Sequence, residues 1–143
     1  MKFVRFSIGG DAAYGVVDGD TVKEISNSPI GQDYSETGGT YDLNEVKILA
    51  PNPHPSKMLC LALNYGSHLL GADRPTRPQP FYKNTNAIIG PGDPIKLPAD
   101  AGLVVCESEL IAIIGKEASK VSEAEALDYV FGYTAGNDVS ARE

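Results

Sequence analysis

Leu103 to Ile114 is the most apolar run of the chain, and it is broken in one place only, by Glu107-Ser108-Glu109. In a strand, successive side chains point to opposite faces. Glu107 and Glu109 therefore share a face with Val105, Ile111 and Ile113. Burying two unpaired carboxylates among branched apolar side chains is costly, and two like charges this close raise each other's pKa. A bound cation removes both problems. Carboxylate oxygens are hard ligands, so the chemistry points to Mg²⁺, Mn²⁺ or Ca²⁺ rather than zinc. The same spacing also allows a plainer arrangement, in which the glutamates face water at a strand end.

The rest of the sequence reads as short strands separated by Gly and Pro. Lys2-Phe3-Val4-Arg5-Phe6 alternates polar and apolar residues, the period of a half-buried strand, and Gly9-Gly10-Asp11 turns it. Tyr14 to Val17 and Thr21 to Ile25 follow as two more strands. Asp18-Gly19 between them is a hairpin signal, because Gly adopts positive φ cheaply and Asp tolerates it. Residues 26–43 are rich in Ser, Asn, Gly, Asp and Thr and read as a surface connection between subdomains. Val46 to Ala50 is a short apolar segment stopped by Pro51. Lys57 to Leu63 reads as a buried strand, Asp73 to Pro80 as a loop or lid, and Ala87-Ile88-Ile89 as a strand fragment before Gly90-Pro91-Gly92-Asp93-Pro94. Ser122 to Val130 reads as a short helix with Ser122 and Glu125 in a capping box, and Val130 to Val139 as a strand leading into a turn. The expected division is residues 1–43, a small β meander with its linker, and residues 44–143, a larger mostly β domain.

Charge and cysteine usage remove whole classes of function. Twelve Lys and Arg against 19 Asp and Glu leave a net charge of −7. An acidic chain without a basic cluster is a poor binder of nucleic acid or anionic membrane. No stretch approaches the ~18 apolar residues of a membrane span. Met1 to Gly10 lacks the apolar core of a signal peptide. Cys60 and Cys106 make no CxxC pair and are too few for a disulfide framework, which fits a reducing cytoplasm.

A few further residues could carry chemistry. Asp138, in Gly136-Asn137-Asp138-Val139, is a third carboxylate after a second strand, and could join the glutamates if the strands adjoin; an Asx turn is the alternative. Arg142 could hold a substrate carboxylate in bidentate fashion, or pair with Glu143 at the surface. His68, just past a strand, could act as a general base or be structural. His54, between two prolines, reads as a surface residue, and Cys60 and Cys106 as buried small apolar side chains.

Taken in order, several segments resemble the fumarylacetoacetate hydrolase family. They are Leu59-Cys60-Leu61-Ala62-Leu63-Asn64-Tyr65-Gly66-Ser67-His68, Pro80-Phe81-Tyr82-Lys83, Ile89 to Ile95, Glu107-Ser108-Glu109-Leu110, Phe131 to Thr134 and Asn137 to Arg142. The meander before them resembles the small N-terminal domain that many members carry. The resemblance implies an α+β, mostly β chain: a small antiparallel β domain, then part of a mixed β-roll catalytic domain. It implies a divalent cation, usually Mg²⁺, on Glu107, Glu109 and Asp138. It implies action on a 2-oxo acid or β-diketo acid through a metal-stabilised enolate, in C–C bond hydrolysis, decarboxylation, isomerisation or dehydration. His68 matches the family's water-activating histidine, Arg142 an arginine near the substrate and Lys83 the lysine of a Phe-x-Lys motif. A homodimer is implied as well.

Two departures bear on which reaction to expect. Members that hydrolyse often carry a Glu three residues after the histidine; here that position is Gly71, and the nearest acid is Asp73. C–C bond hydrolysis is the leading expectation; an imidazole without its orienting carboxylate is a weaker base, which counts against it and towards the alternatives, decarboxylase, isomerase or dehydratase chemistry. The chain also stops at Glu143, where members continue. The expectation is therefore a chain in need of a further C-terminal part, from its own polypeptide or a partner. A non-catalytic fragment that binds metal or ligand, or serves in assembly, is the reading from another class.

Overall fold

Two tight reversals organise the first fifty residues. The computed structural model describes residues 1–69 and 71–142. Strand β1 (Lys2–Ile8) turns through Gly9 and Gly10, at φ 64° and 106°, into β2 (Asp11–Asp18). The hairpin to β3 (Thr21–Ile25) closes on the pair Asp18–Thr21, so its turn residues are Gly19 and Asp20, one position beyond the expected Asp18-Gly19. The left-handed conformation falls on Gly19, at φ 59°, while Asp18 stays in the ladder with its carboxylate on Lys23 Nζ at 2.8 Å.

Residues 26–43 are not all surface connection. Glu36–Asp42 forms β4 on the far side of β3, and β5 (Lys47–Leu49) pairs with the other edge of β1, giving the sheet order β4-β3-β2-β1-β5. The glycines and threonines of β4 hide it from propensity, since Gly is depleted in strands. Tyr41 holds it in place: its ring lies 5.5 Å from Phe6, and its hydroxyl donates to Glu24 Oε2 at 2.8 Å. Phe6 and Val22 are fully buried, Val46 nearly so, and Val4, Ala13, Val17, Tyr41, Leu43 and Ile48 pack around them. Gly15 makes the closure possible, because a Cβ there would stand 2.5 Å from Val22 Cγ1 and 3.2 Å from Phe6 Cε1.

Beyond residue 50 the strands are β6 (Met58–Ala62), β7 (Gln79–Lys83), β8 (Leu103–Val105), β9 (Ser108–Ile114), β10 (Val130–Asn137) and β11 (Ser140–Arg142). They pair antiparallel as β6–β7, β9–β10 and β8–β11. The chain is mostly β, as expected, and its helical segments are short 3₁₀ turns. Three local readings change. Ala87-Ile88-Ile89 is no strand: Thr85–Ala87 is a 3₁₀ turn, and the Ile88 N–H returns to the Thr85 carbonyl. The segment after Ser122 is a 3₁₀ helix, Glu123–Tyr129, and Ser122 Oγ donates to the Glu125 carboxylate at 2.6 Å instead of capping a backbone N–H. The β6 strand forms, but its leucines are open to solvent, Leu59 at 53% and Leu61 at 48%.

That exposure is general. Among the described residues, none beyond Ala50 is buried, and the two cysteines expected inside are not: Cys60 is half-buried and Cys106 exposed, because no second core forms around them. Leu103, Leu110, Leu127, Tyr82 and Tyr133 are all largely exposed, so the second half presents apolar faces that nothing among the described residues covers. It meets the first sheet through Phe3 and Phe131, whose rings lie 5.4 Å apart, and through Lys47 Nζ on Asp93 Oδ1 at 2.7 Å. Among the described residues no helix is long and apolar enough to cross a membrane.

Candidate active site

The β9–β10 and β8–β11 ladders share one register. Asn137 faces Ser108 and Gly136 faces Glu109, while Ser140 faces Val105 and Arg142 faces Leu103. The Asp138 N–H donates to the Glu107 carbonyl at 2.8 Å between them, so the two ladders are one antiparallel ribbon with a short interruption. Opposed residues in such a ribbon point to the same side, with Cβ atoms about 4.5–5.5 Å apart. Glu107, Glu109 and Asp138 therefore rise from one face of the ribbon, and the register places Arg142 on that face as well. Opposite Glu109 stands Gly136, where any side chain would strike Ile111: a Cβ there would be 2.3 Å from Ile111 Cδ1. Asn137, on the opposite face, supports the interruption by accepting the Glu107 N–H on Oδ1 at 3.1 Å. No motif pointed to that contact.

The other two candidates arrive from β6, β7 and the turn after β6. Lys83 ends β7 opposite Met58, on the same face as Phe81 and Cys60. His68 lies in the 3₁₀ turn Gly66–Leu69, its N–H bonded to the Tyr65 carbonyl at 3.0 Å and its ring 6.1 Å from the Tyr65 ring. His68, Lys83, Glu107, Glu109, Asp138 and Arg142 all line one open cleft, with a cavity volume of about 2220 Å³. That exceeds the ~1,000 Å³ upper range of small-molecule pockets, so the cleft is a trough rather than a closed site.

Two of the cleft's carboxylates are each held by a side-chain cation. Lys83 Nζ is ion-paired with Asp138 Oδ1 and also reaches the Val139 carbonyl at 3.4 Å. Arg142 Nη2 meets Glu107 Oε1 at 2.8 Å. The Arg142 hydrogen bond is the main reason Glu107 sits below its ordinary carboxylate pKa; desolvation opposes this, and the charges of Arg142, His68 and Lys83 reinforce it. Burial pushes the Cys60 thiol up, against the nearby Lys83 charge, which makes it a poor nucleophile. His54 lies outside the cleft lining, and Glu143, the alternative partner of Arg142, lies outside the described residues.

The donor set suits a hard divalent cation: three carboxylates on one ribbon face. Among the described residues, however, no three acidic, His or Cys side chains stand together closely enough to hold one. Glu107 and Asp138 are instead engaged by Arg142 and Lys83.

Comparison with known proteins agrees with this fold. The family model described as fumarylacetoacetate (FAA) hydrolase C-terminal matches residues 57–143, and one described as Rv2993c-like, N-terminal matches residues 1–51. Protein Rv2993c of Mycobacterium tuberculosis is 39% identical over 152 residues, covering 100% of this chain and 57% of its own length. Oxaloacetate tautomerase fahd2, mitochondrial, of Xenopus laevis is 39% identical over 102 residues, covering 70% of this chain and 32% of its own. Among solved structures, the 5-carboxymethyl-2-hydroxymuconate delta-isomerase of Mycobacterium smegmatis superposes with a TM-score of 0.87 at 39% identity, over 99% of this chain and 56% of its own. The maleylpyruvate hydrolase of Sphingobium sp. SYK-6, in complex with manganese(II) and pyruvate, gives a TM-score of 0.76 at 29% identity, over 99% and 60%. The chain thus spans about half the length of Rv2993c and of these solved structures, and a third of the tautomerase.

Proposed function

This chain belongs to the fumarylacetoacetate hydrolase family, and from that membership we propose that it forms the metal-binding half of an enzyme acting on a 2-oxo acid or β-diketo acid. The carrying observation is the single ribbon face on which Glu107, Glu109 and Asp138 rise together into a cleft also lined by His68, Lys83 and Arg142. We assign the three carboxylates as ligands of Mg²⁺ or Mn²⁺, with Ca²⁺ as the other hard alternative. A divalent cation bound there supplies Lewis-acid polarisation of a substrate carbonyl. Arg142 and Lys83 bind the anionic end of the substrate and orient it. His68 moves a proton at the carbon next to the carbonyl, or takes one from water.

Between proton transfer and hydrolysis, Gly71 favours proton transfer. Where a carboxylate would hold the His68 imidazole, this chain has a glycine at φ 90° with open space around it. Relatives named as oxaloacetate tautomerases and as an isomerase support the same choice. C–C hydrolysis is the second reading, favoured by the likeness to maleylpyruvate hydrolase. Parallel assays of oxaloacetate tautomerisation, oxaloacetate decarboxylation and acylpyruvate hydrolysis on the complete enzyme that contains this chain, and on its His68→Ala variant, test the assignment. Tautomerisation well above the uncatalysed rate, with hydrolysis at background, supports it; hydrolysis alone would reverse the order.

The exposed apolar faces and the oversized cleft carry a proposal about assembly. We assign their cover to further polypeptide equivalent to the remaining length of the relatives, with a homodimer in the cytoplasm as the working unit. Residues 1–143 alone should then turn over slowly or not at all. A soluble monomer of this chain with full activity would overturn that assignment.

A further inference from the structure

Both cations that face the cleft's carboxylates are attached to them. Lys83 sits on Asp138, with side chains 29% and 13% exposed, and Arg142 sits on Glu107, at 52% and 16%. Glu109, the third proposed ligand, takes part in none of the ion pairs among the described residues. A divalent cation taken up by these three carboxylates has to compete with an ammonium for one and with a guanidinium for another.

We infer that Lys83 and Arg142 are internal counter-cations, and that metal uptake is an exchange in which they leave Asp138 and Glu107. This deepens the proposed function and rests on it. The exchange balances charge locally: the metal ion brings two positive charges, and two side-chain cations turn away from the carboxylates. Neither side chain is lost from the cleft, since both line it. Released, an ammonium and a guanidinium face the open trough as anion-binding groups. The substrate class proposed above carries at least one carboxylate, so metal binding creates the complement for its anionic end. Until the exchange occurs, the same two groups are occupied and bind anions poorly. The device would therefore impose an order of binding, metal first and substrate second.

The two pairs should contribute unequally. The Lys83–Asp138 pair is the less exposed, so solvent screens it less, and Lys83 should be the stronger competitor. Replacing Lys83 by Met keeps the length of the stem and removes the charge. Isothermal titration with Mn²⁺ should then show affinity rising about tenfold or more in Lys83→Met, the scale of a lost charge-assisted hydrogen bond. Arg142→Met should rise by a smaller factor. If Lys83 is instead a strut that positions Asp138, Lys83→Met will bind Mn²⁺ less tightly or equally, and the inference falls.

A second measurement needs no variant. In the wild type, the Lys83 ammonium resonance in a ¹H–¹⁵N spectrum should move on saturation with Mg²⁺. The Lys23 signal, paired with Asp18 in the first sheet, should stay in place. A Lys83 signal unmoved at saturation would overturn the exchange even if Lys83→Met failed to fold. A wild type that binds neither Mn²⁺ nor Mg²⁺ would sink the proposed ligand set itself, whereas wild-type binding with an unmoved Lys83 would sink only the exchange.

Discussion

The backbone N–H of Asp138 donates to the carbonyl oxygen of Glu107 at 2.8 Å, and this bond sets two carboxylates directly across a ribbon from each other. Their convergence is a matter of register, and a one-residue slip sends a side chain to the other face. Inserting one glycine between Asn137 and Asp138 is therefore expected to weaken Mn²⁺ binding about as much as removing a ligand does. Thermal unfolding of the first sheet, followed by near-UV circular dichroism of its tyrosines, should be unchanged. Calorimetric titration of the insertion variant checks the first part, and undiminished binding would disprove the register argument.

Gly15 should be intolerant of any side chain. A Cβ at this position meets Val22 Cγ1 at 2.5 Å and the Lys23 carbonyl oxygen at 3.0 Å, in the only buried core of the described residues. Gly15→Ala is expected to cost roughly 1–3 kcal/mol, the usual penalty of overpacking a filled core. Urea denaturation followed by tyrosine fluorescence measures it. Gly10→Ala, with open space around the position, should not show this packing cost, although its φ of 106° adds backbone strain.

His68 separates the two reaction classes. If the enzyme hydrolyses a β-diketo acid, His68→Ala should lower kcat by roughly 10²–10⁴-fold, the typical contribution of a general base. If it tautomerises oxaloacetate, Glu109→Ala should be the more damaging of the two substitutions. Steady-state kinetics of both variants on both substrates gives the ranking.

The contact between the two halves should depend on pH. Asp93 accepts hydrogen bonds from Lys47 Nζ at 2.7 Å and from the Gly90 N–H at 2.9 Å. The Lys47 bond, then the Gly90 bond, lower its pKa below the ordinary carboxylate value; desolvation opposes them and the Lys47 charge adds to them. A depressed folded-state pKa means that the contribution is present in full above the unfolded-state pKa and is lost as pH falls through the folded one. The contact should therefore be intact at neutral pH and open only in acid. The Gly90 amide shift, followed by NMR from pH 6 downward, should titrate with a midpoint below about 3.9. A midpoint above that value would show that Lys47 does not hold Asp93.

What the sequence made legible depended on periodicity. The alternation in Lys2 to Phe6 and the glycines at 9, 10 and 19 carry the first three strands into the fold almost as read. β4 was hidden because its partner interactions, through Tyr41, come from residues far along the chain. Ala87-Ile88-Ile89 reads as a strand because branched residues favour one, but no strand among the described residues pairs with it. Spacing alone put Glu107 and Glu109 on one side. It could not say that Asp138 lies across from Glu107, which depends on a pairing thirty residues away in sequence. Nor could it reveal that Lys83 and Arg142 hold those carboxylates, because ion pairs leave no periodic trace.

The most direct measurement is titration of Mn²⁺ into the wild type and into Glu109→Ala. Glu109 is the choice because it forms none of the ion pairs seen among the described residues, so its loss disturbs no observed partner. The expected result is one Mn²⁺ per wild-type chain and a loss of affinity of at least roughly tenfold in Glu109→Ala, since the site loses one of its three carboxylates. Equal binding by both proteins would show that Glu107, Glu109 and Asp138 are not a metal site.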